Sequence, residues 1–296
     1  MDDHDALVER AAASAHTVAL VGGLDAGKTT IAKSILRAAA EAGRMGALVD
    51  ADVAQPASGP PATVGLKLIR SPHDIEPEGL AHPDSLQFVG SSSPQGHLLQ
   101  VVAGTGRSVA RAKQAGADIV VVDTSGLVSG LEGQSLKYHK FELIQPDLVV
   151  GLQRGGELEP LLGIVQRFFD AEVVSLPVHP SVVPTTPDQR VADRVAAFTT
   201  YFSGSLQRWR VKPTVFMPAV PPLFDLAQLD RLLVGLSDGA GAYLGLGYLE
   251  YAADEGVMRL VSPVAEAPRA LRLGSVRLDE GFDTRRVDLN GLFGTT

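Results

Sequence analysis

The stretch Gly22-Gly23-Leu24-Asp25-Ala26-Gly27-Lys28-Thr29-Thr30 has the residue types and spacing to grip a chain of phosphates. In a Gly-x-x-x-x-Gly-Lys-Thr loop the glycines let backbone N–H groups curl around anionic oxygens, and a following helix adds its positive end. Lys28 suits the β and γ phosphates of a nucleotide, and the Thr29 hydroxyl suits a Mg²⁺ ion. Each residue from Gly22 to Thr30 is therefore a candidate nucleotide contact. Asp50 and Asp52, two apart, could point the same way along an extended chain. Such a pair can take the proton of an attacking hydroxyl and hold a metal's water shell. Asp123 closes an apolar run, as a Mg²⁺-positioning aspartate does beside a phosphate-binding loop. Arg190 and Arg194 share a helix face by their spacing, and two guanidinium groups can clamp a phosphoryl group in flight. The same spacing also fits a solvated face opposite Val191, Val195 and Phe198.

These residues need a scaffold, and the pattern around them supplies one. Thr17-Val18-Ala19-Leu20-Val21 reads as a buried strand and Ile31 to Ala40 as a helix, the flanks a phosphate-binding loop requires. Strands follow at Ala47–Val49, Leu86–Val89, Asp118–Asp123 and Leu148–Leu152. Helices alternate with them at about Gly96–Ala115, Gln134–Ile144 and Leu158–Phe169. Alternation of this kind predicts an α/β fold, a P-loop NTPase-type parallel sheet flanked by helices, with ligands at the carboxyl ends of its strands. The Pro- and Gly-rich segment from Ala57 to Pro83 reads as a surface wrap. Thr186-Pro187-Asp188-Gln189 starts a helix that runs to Tyr201. Beyond Arg210 short apolar runs suggest a small β-rich C-terminal domain, which gives expected domains of 1–210 and 211–296.

At 296 residues the chain can bury a large core, and its net charge of −8 argues against broad adhesion to nucleic acid or membrane. Without cysteine it has no disulfide, thiolate metal site or cysteine nucleophile. The acidic Met1-Asp2-Asp3-His4-Asp5 start has no signal-peptide core, and no apolar run reaches membrane-spanning length. A cytoplasmic protein is expected. A guanine-reading Asn-Lys-x-Asp segment would fall at Gly151-Leu152-Gln153-Arg154-Gly155-Gly156, which lacks it, so ATP is the expected nucleotide.

Taken together, these pieces resemble the polynucleotide 5′-hydroxyl kinase family, which includes the RNA kinase subunit of the mRNA cleavage and polyadenylation machinery. The match is carried by Gly22 to Thr30, by Asp50-x-Asp52 with Gln55, by Gly90-Ser91-Ser92-Ser93-Pro94 and by Thr124-Ser125-Gly126-Leu127. Arg190 and Arg194, followed by Tyr201-Phe202-x-Gly204, complete it. The resemblance implies an ATP- and Mg²⁺-dependent kinase acting on the 5′-hydroxyl ends of RNA, and of DNA as a further substrate. It implies Lys28, Asp52, Arg190 and Arg194 as catalytic residues, with Asp52 the general base and the arginines a lid. It implies Thr29, Asp50 and Asp123 around the metal, and Gln55, Ser92, Ser93, Thr124 and Leu127 around the substrate. Ala54 stands where the family has glycine, serines replace threonine, and Leu127 replaces the tryptophan that would stack on the terminal base. Trp209, between arginines, could compensate or could pack between domains. The rival readings are an ATP-binding scaffold in RNA processing, a P-loop GTPase, and a small-molecule kinase.

Overall fold

The computed structural model describes residues 3–294; residues 1–2 and 295–296 of the two expected domains lie outside it. The chain forms two compact units. The first comprises the residues up to Gly59 together with Val64–Gln87 and Ser93–Thr186, and the second comprises Pro60–Thr63, Phe88–Ser92 and the residues from Pro187 on.

The first unit opens with α1 (Asp3–Ser14), β1 (Thr17–Gly22) and α2 (Lys28–Glu41). β2 (Gly46–Ala51), β3 (Thr63–Ile69), the short α3 (Pro77–Leu80) and β4 (Ser85–Phe88) follow. α4 (Leu98–Gln114), β5 (Ile119–Thr124), α5 (Gly130–Ile144), β6 (Leu148–Gln153), α6 (Glu159–Phe168) and β7 (Glu172–Pro177) complete it. The strands lie in the order β4-β3-β2-β5-β1-β6-β7. β1 pairs in parallel with β5 and β6, β2 with β5, and β6 with β7. β1, β2 and β5 are buried along their whole length, which is why they read as continuous apolar runs. α2 covers one side through Ile31, Ala32, Ile35, Leu36 and Ala39, at the spacing of one helix face. The predicted parallel sheet flanked by helices is present.

Two segments differ from expectation. The Ala57–Pro83 segment does not only wrap the surface: it contains β3, which pairs antiparallel with β2. Val64, Leu66 and Ile69 are each at most 1 % exposed, so burial of the apolar positions outweighs the Pro and Gly around them. Gly65 is required there, because a Cβ would stand 2.2 Å from the Ser58 carbonyl oxygen. β7 was not foreseen because it is an edge strand in which Leu176 alone is buried, so its apolar pattern is weak.

The second unit begins with α7 (Pro187–Tyr201), β8 (Gln207–Val211) and the short β9 (Phe216–Met217). β10 (Leu232–Ser237), β11 (Tyr243–Ala252), β12 (Val257–Ser262), β13 (Ala270–Leu278), β14 (Thr284–Arg286) and α8 (Leu289–Phe293) follow. β14-β13-β10-β11 run antiparallel, β12 joins β11 to β8, and β9 lies parallel to β13. The units part at Thr186 and Pro187, whereas the sequence reading drew the border after Arg210. The reason is α7: Phe198 and Phe202 are buried, with Tyr201 beside them, among Leu233, Leu246, Tyr248, Val276 and Leu278. The Tyr201 hydroxyl accepts the Leu246 N–H at 2.8 Å. Trp209 packs on an apolar cluster of the same unit, opposite Leu260 of β12.

Candidate functional site

The loop between β1 and α2 encloses its own ligand space. Asp25 at φ 51° and Gly27 at φ 86° turn the backbone back on itself. At Gly22 any Cβ would stand 2.9 Å from both the Ala26 Cβ and the Leu152 carbonyl oxygen, so only glycine fits. Lys28 is 6 % exposed, and its ammonium donates to the Gly23 carbonyl at 2.8 Å, inside the curl. The Asp25 carboxylate accepts the Thr185 N–H at 2.9 Å, and the Arg154 guanidinium donates to the Asp25 carbonyl at 2.6 Å. The loop is thus braced from two sides. A cavity of about 580 Å³ lies against it, lined by Leu24–Ile31, Asp52, Gln55, Leu152, His179 and Ser181–Val183 among others. Gln153, at the position where a guanine reader would stand, is occupied elsewhere. Its amide donates to Glu159 at 2.6 Å and Ser175 at 2.7 Å, and its carbonyl accepts the Leu158 N–H.

The carboxylates meet at the carboxyl ends of β2 and β5, where Asp50 and Asp123 are register partners. Thr29 donates to one oxygen of Asp123 at 2.5 Å, while the other oxygen is buried without a hydrogen bond. Burial pushes the Asp123 carboxyl up, against the pull of Lys28. Asp50 is pushed well up by burial, reinforced by the charges of Asp123 and Asp52. β2 ends at Ala51, so Asp50 stands on the strand, fully buried, and Asp52 on the loop beyond it, half-buried. Asp50 accepts the backbone N–H groups of Asp52, Ala57 and Ser58 at 3.1, 2.5 and 3.1 Å. Its oxygens thereby help to shape the loop that follows β2. Asp52, half-buried, accepts the N–H groups of Ala54 and Gln55 and faces the cavity.

The expected substrate residues divide. Thr124 is fully buried: its hydroxyl donates to the Leu20 carbonyl at 2.7 Å and accepts from Lys137 at 2.8 Å. These bonds tie the end of β5 to β1 and α5. Leu127 is half-buried just past Gly126, where a Cβ would stand 2.7 Å from Leu24 Cδ2, so this corner lies against the phosphate loop. Gln55 lines the cavity. Ser93 belongs to the first unit, where its hydroxyl accepts the Gln95 N–H at 3.3 Å, and Ser92 to the second. Arg190 and Arg194 also belong to the second unit. Arg194 donates to the Thr284 hydroxyl at 3.1 Å and lies on the side of α7 that carries Phe198 and Tyr201.

Lys137 and Lys140 were missed. Both are fully buried on α5, and burial pushes both ammonium groups down, Lys137 well down and Lys140 to about 8. The signal was present in the spacing: Gly133, Lys137, Lys140 and Ile144 follow the three- and four-residue rhythm of a buried face.

A Mg²⁺ ion fits these residues. Thr29 and the orphaned oxygen of Asp123 offer hard oxygen donors beside the loop. Among the described residues no group of three or more His, Asp or Glu side chains is arranged to hold a metal alone. The donor set therefore suits an ion that shares phosphate oxygens and keeps water, as Mg²⁺ does in phosphoryl-transfer sites. Among the described residues no helix is long and apolar enough to cross a membrane.

Residues 22–204 match the family model described as mRNA cleavage and polyadenylation factor CLP1 P-loop. A polyribonucleotide 5′-hydroxyl-kinase of Thermococcus kodakarensis is 27 % identical over 89 % of this chain and 88 % of its own. One from Methanocaldococcus jannaschii is 26 % identical over 89 % and 87 %. A CLP1 homolog of Anopheles gambiae is 30 % identical over 72 % of this chain but only 49 % of its own length. The structure of Clp1p in its complex with Pcf11p superposes with a TM-score of 0.70 over 93 % of this chain and 77 % of that one, at 14 % identity, which shows a shared fold.

Proposed function

Because the chain belongs to the CLP1 P-loop family, we propose that it is an ATP- and Mg²⁺-dependent kinase of RNA 5′-hydroxyl ends. The observation that carries this reading is Asp52, which faces the phosphate-loop cavity with its carboxylate steadied by two backbone N–H groups. A carboxylate at that place can accept the proton of an attacking hydroxyl, as phosphoryl transfer to an alcohol requires. The 5′-hydroxyl oxygen attacks the γ-phosphorus in line, its proton passes to Asp52, and the bond from the γ-phosphorus to the ADP oxygen breaks. Lys28 leaves the Gly23 carbonyl to meet the β and γ phosphates. Mg²⁺, held by Thr29, Asp123 and phosphate oxygens, would neutralise charge on the transferred group. Asp50 sets the loop on which Asp52 stands. In this reading Gln55, Ser93 and Leu127 grip the terminal nucleotide; Ser92, Arg190 and Arg194, in the second unit, carry roles that the family resemblance alone assigns. DNA ends are a second substrate class, and the cytoplasm is the setting in this reading.

The occupied Gln153 supports ATP over GTP, and the intact Lys28, Thr29 and Asp52 support catalysis over a scaffold role. The test is transfer of labelled γ-phosphate to matched RNA and DNA oligonucleotides with 5′-hydroxyl or 5′-phosphate ends. Label on the 5′-hydroxyl RNA bears the kinase reading out, and label on 5′-hydroxyl DNA as well bears out the second substrate class; label on RNA alone removes DNA. Nucleotide binding without transfer to any oligonucleotide returns the chain to a scaffold.

A further inference from the structure

α5 carries two lysines in a place where lysine is costly, and their circumstances differ. The Lys137 ammonium meets two acceptors, the Thr124 hydroxyl at 2.8 Å and the Ser125 carbonyl at 2.7 Å. Lys140, one turn on, is equally sealed from solvent, yet its ammonium has no hydrogen-bond partner. A buried ammonium without an acceptor is disfavoured, and a methionine of similar length would fill the space without that cost. Attraction at Lys140 comes first from Asp52, then from Asp123 and Asp50, and burial still outweighs it, leaving the group at about 8. The long side chain of a helical residue leans toward the helix N-terminus. α5 begins just past the carboxyl end of β5, so that lean carries the Lys140 ammonium toward the rim where the aspartates stand.

Those aspartates repel one another. Asp50 and Asp123 are register partners, and the charges of Asp52 and Asp123 both bear on Asp50. Among the three, Asp52 is the one carried on a loop rather than on a strand, so repulsion can displace it most easily. Its carboxylate accepts the Ala54 and Gln55 N–H groups of that same loop, which turn with it.

We propose that Lys140 is a positioning residue for Asp52: its ammonium, held behind the carboxylate cluster, offsets the repulsion and keeps Asp52 facing the phosphate-loop cavity. It touches neither nucleotide nor hydroxyl and acts through Asp52 alone. The inference rests on the proposed kinase reaction with Asp52 as its base.

The test is a double-mutant cycle on the full chain with Lys140→Met and Asp52→Asn, read by kcat and KM for ATP and for a 5′-hydroxyl RNA oligonucleotide. Lys140→Met lowers kcat about tenfold or more, leaves KM for ATP within about twofold, and melts no lower than the wild type. In the Asp52→Asn background the same substitution changes kcat by less than about twofold. Lys140→Arg, which keeps the charge, recovers part of the loss. An equal loss in both backgrounds, or a loss confined to KM for ATP, overturns the role assigned to Lys140 and leaves the base reading standing. Wild-type turnover in Asp52→Asn overturns both. Should Lys140→Met melt well below the wild type, Lys140→Gln enters the same cycle, and a lowered melting point there as well makes the lysine a structural residue.

Discussion

Neighbouring residues at the end of β5 meet opposite environments. Asp123 points toward α2, where Thr29 donates to it and the phosphate-loop cavity opens beside it. Thr124 points toward α5, where Lys137 donates to it in a site closed to solvent. Alternation along a strand makes this division unavoidable. The open side answers negative charge with backbone N–H groups, glycine turns and Lys28, whose ammonium donates to a loop carbonyl that a ligand can replace. The closed side uses buried ammonium groups, which cannot reach a ligand. The open side therefore supplies contacts for reaction, and the closed side fixes where those contacts stand.

Substitutions on the two sides should differ in kind. The largest effect is expected on the open side. Lys28→Met should lower turnover roughly a thousandfold, the scale for removing a charge aimed at developing negative charge, with little change in melting temperature. A variant that keeps its turnover would remove Lys28 from the phosphates. On the closed side Lys137→Met should instead lower stability by about 3 kcal/mol, since it leaves the Ser125 carbonyl and the Thr124 hydroxyl without their buried donor. Urea unfolding checks this, and an unchanged midpoint would contradict it.

Lys140 sharpens the contrast, because its charge has no hydrogen-bond partner to lose. The unfolded chain keeps the Lys140 proton up to about 10.5 and the folded chain only up to about 8. The unfolded state thus binds more protons between those pH values, so wild-type stability rises with pH through that window. Lys140→Met lacks the rise, and its advantage of up to about 3 kcal/mol at neutral pH should shrink toward pH 10.5. Unfolding of both proteins from pH 7 to 10.5 measures it; a constant difference would contradict the buried charge. The smallest effect belongs to the rim of the open side. Leu127→Trp should lower KM for a 5′-hydroxyl oligonucleotide several-fold, since stacking on a base contributes about 1–3 kcal/mol, and leave KM for ATP unchanged. An unchanged oligonucleotide KM in a folded variant would mean that residue 127 does not face the substrate.

The open side was legible in the sequence because its parts are contiguous: Gly22 to Thr30 fixes both the turn and the residues in it. The parallel sheet was legible because β1 and β5 are buried on both faces and read as unbroken apolar runs. The full burial of Thr124 was not legible, because a motif gives the order of residues along a strand end, not the face to which each turns. Asp50 was paired with Asp52 on the premise of an extended chain, and the loop that follows β2 is shaped by hydrogen bonds from residues as far on as Ser58. β3 was hidden by the prolines before it, although its own Val64, Leu66 and Leu68 alternate as a strand should. Lys137 and Lys140 lay on the buried rhythm of α5, yet lysine is so seldom fully buried that the rhythm alone did not mark them.

The central claim is that the open side ends in Asp52 as the base for a hydroxyl. Single-turnover transfer, with enzyme in excess over a 5′-hydroxyl RNA and saturating ATP, tests it most directly in the wild type and Asp52→Asn. The account predicts a transfer step slowed about a hundredfold or more in the variant, with ATP affinity measured separately within about twofold of wild type. A variant that transfers phosphate at the wild-type rate would contradict it.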